Sequence, residues 1–163
     1  MSNFIHKTAI VGPNVTLGDN VYIGPYCVIG EPAEHKLFWK APIGEVVIGD
    51  DCVITGHVTI DAGTTEKTTI GAGTWMLKHS HVGHDCQIGN NVTISCGAKI
   101  GGHTKIGDLC NIGLNAVIHQ KQEIAPSCMI GMGAVVTKKL KTEPYTKYAG
   151  NPAKELGPNV ITK

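Results

Sequence analysis

IGAGTWMLKHSHVGHDCQIGNNVTISCGAKIGGHTKIGDLCNIGLNAVIHQKQEIAPSCMIGMGAVV, residues 70–136, carries an aliphatic side chain at every sixth position without a slip. The positions are Ile70, Met76, Val82, Ile88, Ile94, Ile100, Ile106, Ile112, Ile118, Ile124, Ile130 and Val136. An amphipathic helix would repeat its apolar face every 3.6 residues and a half-buried strand every two, so neither produces a strict six. A six-residue period held this long is the signature of a hexapeptide β-helix. Working outward, the same step runs through Ile5, Val11, Leu17, Ile23 and Ile29, and through Ile48, Ile54 and Ile60, making twenty hexads in all.

Each hexad supplies one short strand and one turn, and three hexads close a triangular coil. Residues eighteen apart then stack at the ordinary β spacing of about 4.8 Å. Twenty hexads make six to seven coils of an all-β parallel β-helix over residues 1–137, with residues 138–163, which have lost the period, as a C-terminal cap. The Gly that often follows the aliphatic residue is expected to relieve crowding at the corner, where φ > 0 is often needed. Cys27, Cys52, Cys86, Cys110 and Cys128 each stand two residues before an aliphatic position, a slot for small inward-facing side chains. Buried free thiols behave as small hydrophobes, and with no signal peptide to be read, reduced cysteines point to the cytoplasm.

Composition narrows the partners. The formal net charge is +1, so neither nucleic acid nor an acidic membrane surface is an expected partner. No apolar run has the length of a membrane span. Arg is absent and all fourteen cations are Lys, so a phosphate would be held by Lys, His or backbone N–H without the bidentate Arg fork. Lys138, Lys139, Lys141 and Lys147 cluster towards the end of the prism, as a solvated basic face or as a site for a phosphate-bearing ligand.

The period breaks twice. Between Ile29 and Ile48 a thirteen-residue excess extrudes a loop, residues 31–47, that carries Phe38 and Trp39; between Ile60 and Ile70 there are four extra residues, around Thr64 to Lys67. Loops that interrupt a rigid scaffold often hold binding residues. The aromatic pair suits a neighbouring subunit, a ligand ring, or simple packing as a lid. Counting hexads in threes puts Ile29, Ile60, Val82, Ile100 and Ile118 on one side. The corner after that side therefore gathers Glu31, Asp61, His84 and Asp85, Gly102 and His103, then His119 and Gln120. His81 precedes the corner on the same side, and His79 lies on the turn before it.

Histidine exchanges protons near neutral pH. His84 followed by Asp85 offers a base and a carboxylate to orient it. Gly102, one coil on, leaves room for a substrate, and a backbone N–H there can stabilise an oxyanion. A base, an oxyanion donor and polar positioning groups suit acyl transfer. Cys86 occupies the inward slot, so direct attack by the acceptor is expected rather than an acyl-enzyme. The competing readings are solvated corner histidines and a metal site at His79, His81 and His84, whose spacing resembles a zinc set but lacks a fourth ligand.

The segment HSHVGHDCQIGNNVTISCGAKIGGHTKIGD (79–108) and the opening HKTAIVGPNVTLGDNVYIGPYCVIGE (6–31) resemble the UDP-N-acetylglucosamine acyltransferase family. That resemblance implies a left-handed β-helix, although crossovers are usually right-handed. It also implies a homotrimer with active sites between subunits. It makes His84 the general base, with Asp85 beside it and Gly102 as oxyanion donor. His81, His103, His119 and Gln120 become substrate contacts. The family's helical C-terminal domain has no counterpart in residues 1–163, and its Asp-bearing loop differs from PAEHKLFW (32–39). The segments IGMGAVVTKKL (130–140) and YAGNPAKELG (148–157) are instead similar to the broader hexapeptide acetyltransferases. That likeness implies acyl-CoA, acetyl-CoA above all, as a co-substrate near Lys138, Lys139, Gly150, Asn151 and Lys154.

The expectation is therefore an acyltransferase with no tightly bound cofactor and no metal. It moves an acyl group from CoA to a hydroxyl or amine of a sugar or sugar nucleotide. An acyl-carrier-protein-dependent UDP-sugar O-acyltransferase is the alternative. A γ-carbonic-anhydrase-like metal protein is disfavoured because position 89, five after His84, is Gly; a non-catalytic scaffold would need no base at all.

Overall fold

The computed structural model describes residues 2–40 and 44–160; Met1, the 41–43 part of the extruded loop and the last three residues, 161–163, of the cap lie outside the described residues. Twenty strands of two to four residues, from Phe4–Ile5 to Val135–Val136, correspond one for one with the twenty hexads. They distribute in strict rotation over three parallel faces of a left-handed β-helix. Aliphatic positions pair in register up each face, as in Val82 with Ile60 and Ile100 on the second face. Each coil's N–H groups donate to the coil above, so a two-residue strand suffices where an isolated one would not hold. The inward Ile and Val side chains are completely buried over most of the prism, from Ile23 to Val136. The five inward cysteines are buried and unpaired, and Cys96, on a turn, is half-buried.

The corners correct one expectation. The left-handed backbone sits three residues after the aliphatic position and, with the exception of Gly30 at φ 90°, not at the Gly that follows it. His79, Asp85, His103 and Leu109 occupy that slot with φ of 62°, 59°, 58° and 60°. The Gly after the aliphatic residue serves close approach instead. A Cβ on Gly83 would meet the Gly102 nitrogen at 2.9 Å, and one on Gly89 would meet the Asp108 nitrogen at 2.7 Å. Neighbouring coils could not then keep the β spacing.

The tail does more than cap. Strand Thr146–Ala149 continues the first face in parallel register, Ile130 opposite Tyr148, and strand Lys154–Pro158 then turns back antiparallel along it. Tyr148 takes the next inward position, 1% exposed, and its hydroxyl accepts the Glu143 N–H at 2.8 Å. An aromatic ring thus closes the aliphatic stack that Ile130 would otherwise leave open. Gly150 and Ala153 bond to the Val135 backbone and cover the second face.

Candidate active site

The corner after the second face carries the residues the hexad count assigns to it. Its geometry centres on Asp85, whose side chain is fully buried. The four extra residues after Ile60 wrap this carboxylate. The N–H groups of Thr64, Thr65 and Glu66 donate to Oδ1 at 2.9, 2.8 and 2.6 Å, and the Thr64 hydroxyl donates to Oδ2 at 2.6 Å. Three consecutive N–H groups converging on one oxygen form an anion-binding nest. Burial opposes ionisation of Asp85, but the Thr64 hydroxyl, the Glu66 and Thr65 N–H groups and His84 outweigh it and hold the carboxyl well below the usual carboxylate range.

His84 Nδ1 lies 2.6 Å from Asp85 Oδ2. An ionised carboxylate only accepts hydrogen bonds, so Nδ1 must carry the proton and Nε2 keeps its lone pair. That lone pair faces Gly102: a Cβ on Gly102 would stand 2.7 Å from His84 Nε2 and 2.9 Å from Cε1. Any side chain there would cover the basic nitrogen. Among the described residues the Gly102 N–H has no backbone acceptor. The His103 ring stands edge-on to His84, centroids 4.9 Å apart, with its Nε2 3.7 Å from Asp85 Oδ2.

The other expected residues lie at graded distances from this centre. His81 accepts or donates at Nδ1 with the Thr59 hydroxyl at 2.8 Å, and its Nε2 is 3.9 Å from Asp61 Oδ2. Burial pulls the His81 ring's basicity down. Burial pushes the Asp61 carboxyl up to about 6, and the neighbouring Glu34 adds to the rise against the Glu34 N–H and His84. Glu31 pairs in strand register with Asp61 and is exposed. His119 and Gln120 keep the slot two coils beyond His84, with His119 Nδ1 3.0 Å from the Gln120 carbonyl oxygen, and the structure brings neither into contact with the base. Lys138 and Lys139 fall at that corner again, after Val136, three coils from Val82. Gly150, Asn151 and Lys154 belong to the closing turn and last strand.

The spacing-based metal set does not form. His79 sits on the preceding corner, stacked on His57 with centroids 4.8 Å apart, and His57 stacks on Tyr26 at 5.0 Å. Among the described residues the tight His and carboxylate group is His84, Asp85 and His103, and Asp85 is already filled by Thr64–Glu66 donors. Cys86 is no nucleophile: burial pushes its thiol up to about 12, and its Sγ points to the Gly101 carbonyl at 3.2 Å.

Sequence reasoning missed three contributors. Thr64, Thr65 and Glu66 hold Asp85. His35, from the long loop, reaches the site with its ring centroid 6.3 Å from that of His84. Trp39 folds back to wall a cavity of about 580 Å³ on the second face, with Glu34, Asp61, His81 and Lys99. The four extra residues were a visible signal for the first, and the aromatic pair of the loop for Trp39, which the sequence offered to a ligand ring without placing it at this corner; nothing in the pattern pointed to His35. A groove of about 630 Å³ on the third face, lined by Gln87, Lys105 and Glu123, carries no histidine and lies away from this chemistry.

Known proteins share the repeat and the fold. Residues 2–31 and 67–102 match the family described as bacterial transferase hexapeptide (six repeats). The chain is 34% identical, over an alignment 196 positions long, to the acyl-(acyl-carrier-protein)–UDP-N-acetylglucosamine O-acyltransferase of Paraburkholderia xenovorans (strain LB400), covering 96% of this chain and 73% of that one. It is 34% identical over 108 residues to the enzyme of the same name from Burkholderia ambifaria, covering 64% and 40%. Against several such relatives the chain spans 40%, 62% and 60% of their length. A crystal structure of UDP-N-acetylglucosamine acyltransferase matches with TM-score 0.81 at 28% identity, over 95% of this chain and 74% of the other. The Bacteroides fragilis enzyme gives 0.80 at 25%, over 97% and 76%. With repeat, corner and sequence in agreement, the chain belongs to the hexapeptide-repeat family of acyl-(acyl-carrier-protein)–UDP-N-acetylglucosamine O-acyltransferases.

Proposed function

We propose that this protein is an acyltransferase that moves an acyl group from a thioester to the sugar part of a nucleotide sugar by direct attack, with His84 as general base. The observation that carries the reading is the His84 ring, protonated on Nδ1 by its bond to ionised Asp85 and open at Nε2 towards Gly102. The acceptor's hydroxyl or amine gives its proton to Nε2 as it bonds to the thioester carbonyl carbon. The oxyanion forms beside the Gly102 N–H. The C–S bond then breaks, and the thiolate takes the proton back from the imidazolium. His81, His103, His119, Gln120, Asp61 and Glu31 position the acceptor and donor around this step.

The names of the relatives favour acyl carrier protein as donor and UDP-N-acetylglucosamine as acceptor. Acyl-CoA is the second reading, favoured by the return of Lys138 and Lys139 to the His84 corner, where they suit a phosphate; Gly150, Asn151 and Lys154 would flank it. The working form we propose is a homotrimer: Trp75 (51% exposed) and Tyr22 (40% exposed), both on the first face, call for a cover. A cytoplasmic setting fits the free, mostly buried thiols.

Thiol release measured with acyl carrier protein and CoA thioesters, over a panel of UDP sugars, tests both donor readings at once. Acceptor-dependent release that disappears in His84→Ala is expected. Release from a CoA thioester alone, weakened by Lys138→Ala and Lys139→Ala, would move the donor to CoA. No release from either donor, in a folded protein, would overturn the acyltransferase reading.

A further inference from the structure

The cavity on the second face, one wall of which is Asp61, has a charge that a neutral or anionic occupant does not explain. It is walled by Glu31 and Glu34 from the long loop, by Asp61 at the corner, by His81 and Lys99 from the second face, and by Trp39. Three carboxylates thus face one lysine and three histidines, His57, His79 and His81. The Lys99 ammonium is already hydrogen-bonded to the His79 carbonyl. The Asp61 side chain is nine-tenths buried, and the basic side-chain nitrogen closest to it, His81 Nε2, stands 3.9 Å away, beyond hydrogen-bond reach. The Glu34 backbone N–H and the more distant His84 favour its charged form, but burial and the Glu34 carboxylate outweigh them. A buried carboxylate left this way is costly unless something positive or hydrogen-bonding arrives.

We infer that this cavity takes an acceptor bearing a free amino group, so that within the proposed acyl transfer the nucleophile is an amine and the product an amide. The inference rests on the acyltransferase reading and narrows it. An ammonium between Asp61 and Glu34 supplies the missing cation; a sugar hydroxyl there would relieve the repulsion only in part. Trp39 offers a ring face against which a sugar can lie. A diphosphate is repelled by the same carboxylates and has to lie away from them. Ile60 pairs with Val82, so Asp61 lies one coil before His84 and an amine held there is one β spacing along the prism from the base.

The step balances without a further reactant. The bound ammonium releases one proton to solvent, and the neutral amine attacks the thioester carbonyl carbon. A C–N bond forms, His84 Nε2 takes the second proton, the C–S bond breaks, and the thiolate receives that proton.

The test compares UDP-N-acetylglucosamine with analogues in which one ring hydroxyl at a time is replaced by an amino group. Calorimetric binding to His84→Ala protein reads the cavity without turnover; at least tenfold tighter binding of one amino analogue is expected. In wild type that analogue should have a kcat/KM at least tenfold above its parent and give a product stable to hydroxylamine, as amides are and esters are not. Asp61→Asn and Glu34→Gln should each bring the preference towards unity; Glu34 is exposed, so its variant guards against a folding defect in the other. Equal binding of parent and every analogue would overturn the inference whatever the turnover shows. So would a preference that both variants leave intact. Amine-selective binding without transfer would uphold the cavity's selectivity and remove only the acyltransferase reading on which the amide product depends.

Discussion

Replacing Asp85 by Asn isolates what the buried carboxylate does for His84. Asn is the same shape, so Oδ1 can stay where the N–H groups of Thr64, Thr65 and Glu66 meet it. Each of those bonds loses its charge assistance. A bond to a charged group contributes about 1.5–3 kcal/mol and a neutral one about 1, so three bonds lose roughly 1.5–6 kcal/mol in all. The second oxygen becomes an NH₂ facing His84 Nδ1 at 2.6 Å. That nitrogen must now accept, so the proton moves to Nε2 and the base is blocked on the side that faces Gly102. A loss of about 10²- to 10⁴-fold in kcat is expected when a base is held in the wrong tautomer. The depressed acidity of Asp85 gives a further check. Its charge stabilises the fold above the unfolded-state pKa of about 4, and that stability is lost as pH falls through the folded value. Melting curves of wild type and Asp85→Asn should therefore converge as pH drops below about 4 and separate above it. The assays are steady-state acyl transfer and thermal melts over the same pH series. A variant whose melt falls by the expected amount while kcat stays within about threefold of wild type would refute the tautomer argument and leave Asp85 a purely structural residue.

Three further outcomes follow from the geometry. Gly102→Ala should lose transfer by 10²-fold or more on the order expected for a covered base, with little change in melting, because its Cβ lands 2.7 Å from His84 Nε2 and Gly102 has no positive φ to lose; a fully active, stable variant would mean the ring does not face that position. Asp61, raised to about 6, binds its proton more tightly folded than unfolded, so its stabilising share is complete below about pH 4 and lost as pH rises through 6. Asp61→Asn should then be more stable than wild type at pH 8 by about 1–3 kcal/mol and equal to it or weaker near pH 4; a melt difference that does not change with pH would contradict the raised acidity. Ile100→Ala, fully buried in the middle of the second face, should cost about 2–5 kcal/mol by chemical denaturation, and a cost below 1 kcal/mol would mean the prism collapses around the gap.

The repeat was legible because one physical demand, an aliphatic residue at every inward position, recurs twenty times and leaves the same mark each time. It placed His84, Gly102 and His103 together correctly, since stacking at eighteen residues is a property of the period alone. What escaped it lies where the period is broken or ends. The nest around Asp85 comes from Thr64 to Glu66, an insertion with no pattern of its own. His35 and Trp39 reach the site by contacts between the long loop and the prism, which no periodicity encodes. Tyr148 continues the stack with an aromatic ring, so a search for aliphatic residues stopped one strand short. The metal reading of His79, His81 and His84 failed for a geometric reason: His79 and His84, five positions apart, stand at the two opposite ends of one short strand, on different corners of the triangle.

The insertion after Ile60 also bears on how such a site could be moved. Every coil of the prism offers an equivalent corner, and any of them could display a histidine. What distinguishes the coil of His84 is the strap of three N–H groups arriving from the coil before it, which sets the charge of Asp85 and through it the tautomer of the base. On the proposed mechanism, the location of the site along the prism is therefore written in the position of a four-residue insertion and not in the repeat. Transplanting Thr64–Lys67 together with the His-Asp pair by eighteen residues should carry a working base one coil along, whereas moving the pair alone should carry only its side chains.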